Sequence, residues 1–170
     1  MKTSGILLLV GSILLSVIWI FVVIQANAEW GNKIGSNWSL ADKSSTIAEK
    51  SEYINKFVVA LENANLERVN DSIMFPTPDT SFDFNLKALK TLQTRLEEIK
   101  TMKVDSFEYQ TAIQQITSQE QGEAQNMISV LEGSWYKVNH YFLWNWILTM
   151  FVIIFLCLMF FVGLFFLLEY

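Results

Sequence analysis

Residues 141–170 read YFLWNWILTMFVIIFLCLMFFVGLFFLLEY, and this stretch decides the fold class. From Ile147 to Leu168 there is no charged residue, and Thr149 and Cys157 are the only weakly polar side chains. A helix crosses the hydrocarbon core of a bilayer with about 20 apolar residues. Phe, Leu, Ile, Val and Met, which fill this run, favour lipid over water. The rival reading is a helix buried in a soluble core. A chain of 170 residues is too short to wrap such a helix on all sides. The expectation is a C-terminal transmembrane helix within 141–170.

Working outward, the run is preceded by Trp135, Tyr136, His140, Tyr141, Trp144 and Trp146. Amphipathic rings of this kind suit a membrane–water boundary. Trp135 also fits an ordinary core face. His140 reads as an interfacial polar residue. A metal or haem role for it would need ligands from elsewhere, such as a partner chain.

A second apolar run, GILLLVGSILLSVIWIFVVI, occupies residues 5–24. Lys2 precedes it, and Ala26-Asn27-Ala28 has the small-x-small form of a signal-peptidase site. The run has 20 residues, longer than the usual signal h-region of about 7–15. Residues 1–28 are therefore expected to be a retained signal anchor, with a cleaved signal peptide as the competing reading. Ser12 and Ser16 form a small-xxx-small pair in this span, and Gly163 is a small residue in the other. Such residues let spans pack closely. Neither span holds a central charge, which argues against an ion or proton path within this chain.

Between the spans lie 11 basic and 16 acidic residues, all but Lys2 and Glu169 of the chain's charged side chains. Without clustered Lys and Arg, nucleic acid is not an expected partner. No polybasic stretch flanks either span to hold anionic lipid. Cys157 is the sole cysteine and lies mid-span, so the central segment has no disulfide or thiolate metal site of its own. Lys33, Lys43 and Lys137 on the loop side outnumber Lys2. That bias is dependable mainly for short loops, so the signal-like start carries more weight and points to an extracytoplasmic domain. Two sequons, Asn37-Trp38-Ser39 and Asn70-Asp71-Ser72, fit export in a eukaryotic source.

The spacing in the central segment is helical. Residues 29–40, with Gly31, Gly35 and several polar residues, read as a juxtamembrane linker, and 41–140 as a helical ectodomain. Ile47, Ile54, Phe57, Val58, Leu61, Leu66, Val69 and Ile73 predict a first helix from Ser39 or Ala41 to about Ile73. Pro76 and Pro78 predict a loop over 74–82. Leu89, Leu92, Leu96 and Ile99 predict a second helix over 83–102, capped by Ser81 or Asp83, with a narrow coiled-coil-like seam. A third helix starts near Ser106 and, if Gly122 does not break it, continues into the second span. If Gly122 breaks it, four shorter helices result. Sustained alternation and hairpin turn signals are missing, so the fold class is all-α: two transmembrane helices flanking an antiparallel helical bundle.

The chemistry of catalysis is thin here. His140 is the only candidate imidazole base, no Cys lies outside the span, and neither Gly-x-Ser-x-Gly nor a phosphate-binding glycine loop occurs. Glu97-Glu98 and Glu120 with Glu123 are paired carboxylates, read as solvated helix faces. No catalytic, cofactor or metal site is assigned.

In outline, two spans bracketing an extracytoplasmic helical bundle resemble the sensory half of bacterial chemoreceptors and histidine kinases. That resemblance implies ligand sensing relayed to an output module. Only Glu169 and Tyr170 follow the second span here, so any signal is expected to pass sideways to another protein. The expectation is a non-catalytic accessory or scaffolding subunit that meets the lipid bilayer and either protein partners or further copies of itself. A ligand-sensing module with a small-molecule pocket is the alternative.

Overall fold

The computed structural model describes residues 2–120 and 123–168, and the chain there is all-helical. The elements are α1 (Lys2–Trp30), a π segment (Gly31–Gly35), α2 (Ser36–Lys43), α3 (Ile47–Asn63), α4 (Phe82–Lys100), α5 (Phe107–Glu120), α6 (Glu123–Asn139), α7 (Tyr141–Trp144) and α8 (Trp146–Leu168). Among the described residues the sole β pairing is one isolated bridge, Asn70 with Ser81. Two helices are long and apolar enough to cross a membrane: the run Thr3–Lys43 and Trp146–Leu168. Only 6% of the apolar window in each is buried inside the protein, unlike core helices of a soluble domain. The chain divides into two compact units, one of residues up to Glu29 and from His140 onward, the other Trp30–Asn139.

In the first unit, α1 and α8 run antiparallel. A Cβ on Gly5 would lie 3.1 Å from the Gly163 carbonyl oxygen, and one on Gly11 would lie 4.0 Å from the Met159 methyl. At the other end, Glu29 meets His140. Small residues permit the close approach at Gly5 and Gly163, because helices in lipid gain mainly from van der Waals contact.

The second unit is built on the α3–α4 pair. Ile54, Phe57, Val58 and Leu61 of α3 are buried with Leu89, Leu96 and Ile99 of α4. Each fully buried Leu or Phe contributes about 1.5–3 kcal/mol of transfer free energy. Polar rungs flank this seam. Ser51 donates to the Glu97 carboxylate, Gln93 Nε2 donates to Asn55 Oδ1 at 2.6 Å, and Lys90 pairs with Glu62 at 2.5 Å. α2 packs on α3 through Trp38 and Phe57, whose rings lie 5.8 Å apart. Leu131 and Trp135 of α6 complete the core.

Several sequence expectations hold and several are corrected. The second helix stands as α4; Ser81 occupies its N-cap position without a side-chain capping bond, and Asp83 instead accepts from Arg68 N–H at 3.1 Å. Ser106 starts the next helix and accepts from Tyr109 N–H at 3.1 Å. The first helix is shorter than its spacing predicts. Ser44 is extended, and Thr46 caps α3 by accepting from Glu49 N–H at 3.2 Å. Thr46-x-x-Glu49 is a helix-start pattern inside a run that otherwise looks continuous. α3 ends at Asn63, since Asn65 (φ 52°) and Arg68 (φ 63°) take the left-handed conformation. Asn enters that region more easily than most residues and stops helices there. The segment between α3 and α4 is therefore 64–81, longer than the predicted loop and with one 3-10 turn at Pro78–Thr80, and Leu66 in it closes the core. Residues 29–40, read as a linker, are helical, with Ile34 buried. The third helix does not run unbroken into the span. His140 (φ −140°, ψ 56°) and Asn145 (ψ 92°) interrupt it. Asn145 then starts α8, its side chain accepting from Leu148 N–H at 3.4 Å. The question of a break at Gly122, the Glu120–Glu123 side-chain pair and residues 169–170 lie outside the described residues.

Candidate functional site

The span-packing residues group along one stripe of α1. Gly5, Ser12 and Ser16 are separated by seven and four positions, which places them on one helical face. Ser12 is buried, and its hydroxyl donates to the Leu9 carbonyl at 2.9 Å. Ser16 donates to the Ser12 carbonyl at 2.8 Å. Both hydroxyls are thus satisfied within α1 and do not cross to α8. Gly163 packs against Leu9 and Gly5; a Cβ there would stand 2.9 Å from Leu9 Cγ. Next to this contact the helices leave a groove of about 380 Å³, lined by Ser12, Ile13, Ser16 and Val17 facing Leu156, Cys157, Phe160 and Phe161. Gly5 and Gly11 were not singled out from sequence. The signal for Gly5 was its seven-residue spacing from Ser12 on the same face.

The six expected boundary residues separate. Tyr141, Trp144 and Trp146 gather at the α7–α8 corner, where the Tyr141 and Trp144 rings lie 5.5 Å apart and Asn145 Nδ2 donates to the Tyr141 hydroxyl at 3.4 Å. Tyr141, Phe142 and Trp146 are exposed. Thr149 Oγ1 donates to the Phe142 carbonyl at 2.8 Å, tying α7 to α8. His140 Nε2 lies 3.2 Å from a Glu29 carboxylate oxygen, linking positions 111 apart. Trp135 and Tyr136 belong to the other unit. Trp135 is a core residue, 5.6 Å from Trp30 and 5.1 Å from Tyr136 in an edge-on arrangement. Burial, and then the Glu132 carboxylate one turn earlier, push the Tyr136 phenol up. Burial likewise raises the Glu132 carboxyl.

A second groove, of about 600 Å³, runs between α4 and α6. Phe84, Leu92, Met127 and Val130 give it apolar walls, and Asp79, Asn85, Arg95 and Asn126 place polar groups on its lining. Asn85 Nδ2 is committed to the carbonyls of Asp79 and Ser81 at 2.7 and 2.8 Å. No group of three or more His, Cys, Asp or Glu among the described residues is arranged to hold a metal ion.

No family model, curated protein or solved structure matches this chain.

Asn70 of the second sequon helps to shape its own loop. Its Nδ2 donates to the Thr77 carbonyl at 3.1 Å, and its Oδ1 accepts from Ser72 N–H at 2.9 Å and from the Thr80 hydroxyl at 2.8 Å. Asn37 of the first sequon is half-buried in α2.

Proposed function

We propose that this chain is an integral membrane protein with its central domain on the extracytoplasmic side, and that it acts without catalysis as an accessory or scaffolding subunit of a membrane complex. The observation that carries this reading is the groove between α1 and α8. Two spans that touch through glycines and then leave about 380 Å³ open to their surroundings form an incomplete bundle. In lipid, packing gaps between helices forfeit dispersion contacts, and a third helix with bulky side chains would recover them. Neither wall of the groove carries a charge, so the partner segment would be an apolar span.

The test is purification of the full chain in mild detergent, with mass spectrometry of co-purifying proteins. Ser12→Phe with Ser16→Leu fills the groove and is expected to release a stoichiometric membrane partner, or to convert an oligomer to monomer. A wild-type chain recovered as a monomer without partner would end the proposal. Sidedness is read from protease cleavage at Lys103 in intact cells.

The second reading is a ligand-sensing module, supported by the α4–α6 groove with polar groups on an apolar lining, a form common to small-molecule sites. It predicts that Leu92→Trp, which fills that groove, alters a response to a small molecule without changing co-purification.

A further inference from the structure

The groove between α4 and α6 is lined from α4 by Phe84, Asn85, Ala88, Thr91, Leu92 and Arg95. Their spacing of three and four puts them on one face of that helix. The face extends over about 15 Å from Asn85 to Arg95.

Asn85 is 6% exposed. Both protons of its Nδ2 are used, on the carbonyls of Asp79 and Ser81 at 2.7 and 2.8 Å. That fixes the other amide atom as the acceptor Oδ1. Oδ1 takes no hydrogen bond from the described residues. It is not sealed off either, because Ser134 Oγ is the only fully buried side-chain N or O atom among them without a partner. Asn85 lines the groove, so its unfilled acceptor is open to what the groove holds.

Asp79 stands beside it, held by the bond from Asn85 to its carbonyl. Asp79 is exposed, and its carboxylate forms no hydrogen bond or ion pair among the described residues. No side-chain donor on this stretch of α4 is left over to answer these acceptors. The Thr91 hydroxyl donates to the Lys87 carbonyl at 3.1 Å. Arg95, the one cation among the described lining residues, is nearly three turns away and already engaged within the chain. The N-terminus of α4 adds a partial positive charge of about one half. Asp83 in the first turn and Asp79 outweigh it. The unanswered charge at this end of the groove is negative.

We propose that the groove binds a small organic amine in its protonated form, the ammonium donating to Asp79 and to Asn85 Oδ1, the hydrocarbon part lying along Leu92, Met127 and Val130. This rests on the second reading above, that the groove takes a small molecule. An ammonium brings donors and a positive charge together, which is what the two acceptors lack. Phe84, next to Asn85 and 54% exposed, lines the same end, and an aromatic ring attracts organic cations.

The experiment titrates the full chain in lipid nanodiscs with three probes of one shape: 2-phenylethylamine, 2-phenylethanol and 3-phenylpropionate. Calorimetry or saturation-transfer NMR reads binding. Leu92→Trp and Ala88→Leu fill the groove, and the signal they leave is partition into lipid. The expected result is that the amine binds best, that both filling variants abolish its binding, and that Asp79→Asn weakens it about tenfold or more. Asp79→Asn keeps the fold, since the carboxylate it replaces is exposed and without a partner. Binding of the alcohol or the carboxylate as tight as that of the amine, and still abolished by the filling variants, overturns the amine and leaves the groove. Amine binding unchanged in Asp79→Asn overturns it equally. If no probe binds in a way the filling variants remove, the amine and the small-molecule reading of the groove both fall.

Discussion

The Lys137 ammonium donates to the backbone carbonyl of Asn70 at 2.5 Å, joining positions 67 apart in sequence. A charge-assisted bond to a carbonyl contributes about 1.5–3 kcal/mol. Lys137→Met keeps the aliphatic stem and removes both bonds to the loop. The expected outcome is a loss of about 1–3 kcal/mol, with hydrogen exchange accelerating at Phe75 and Thr77 before it does in α3 or α4. Unchanged protection there would show that the lysine does not hold the loop.

Two glycines four residues apart are expected to respond in opposite ways. A Cβ on Gly35 would come within 2.8 Å of Trp30 Nε1, whereas Gly31 has open space around it. Trp30 is a core residue stacked near Trp135. Gly35→Ala therefore displaces the indole and destabilises by about 1–3 kcal/mol, the usual range for overpacking. Gly31→Ala is neutral or stabilising by up to about 1 kcal/mol through helix propensity. Thermal melts of the two variants in detergent decide it; equal effects would refute the packing argument.

The two spans are expected to separate when Gly163 is enlarged. Gly163→Leu drives a side chain into Leu9 and the Gly5 carbonyl. Cysteines at Gly11 and Met159 in a Cys157→Ser background are expected to be joined by a short bis-maleimide cross-linker, because a Cβ on Gly11 lies 4.0 Å from the terminal methyl of Met159. The same pair carrying Gly163→Leu is expected to cross-link poorly.

Two carboxylates set opposite pH trends. The Ser51 hydroxyl, and to a lesser degree Lys100, hold the Glu97 carboxyl below its usual range against the opposing effect of burial. Its folded-state pKa is depressed, so its stabilisation is present above the unfolded pKa and lost as pH falls through the folded one. Burial raises the Glu132 carboxyl, so its stabilising effect is full below the unfolded pKa and lost as pH rises through the folded one. Ser51→Ala is expected to flatten the acid-side loss of Tm. Glu132→Gln is expected to raise Tm at neutral pH and leave little change at acid pH.

Ser134 is fully buried, and its hydroxyl has no hydrogen-bond partner among the described residues. An unpaired buried hydroxyl costs about 1–3 kcal/mol. Ser134→Ala is expected to stabilise the protein by about 1 kcal/mol in chemical denaturation. Destabilisation would mean that the hydroxyl has an unseen partner.

The sequence alone was enough for whatever depends on local pattern. Uninterrupted apolar runs identify helices that suit lipid, since each residue's transfer preference adds along the chain. The Leu89–Ile99 seam, the Ser106 helix start and the helical class follow from spacing and capping that act within a few residues. Only tertiary structure decided where helices stop and what the loop does. Leu66, Val69 and Ile73 keep a helical rhythm, yet Asn65 and Arg68 turn the chain left-handed so that Leu66 seals the core and Lys137 can reach Asn70 and Ser72. Trp135 looks like its aromatic neighbours in sequence and becomes a core residue because Trp30 stands opposite it. The Gly5–Gly163 contact, the groove beside it and the Glu29–His140 pair join residues more than a hundred positions apart. Such pairings depend on which faces meet in space, and a one-dimensional pattern has no term for that.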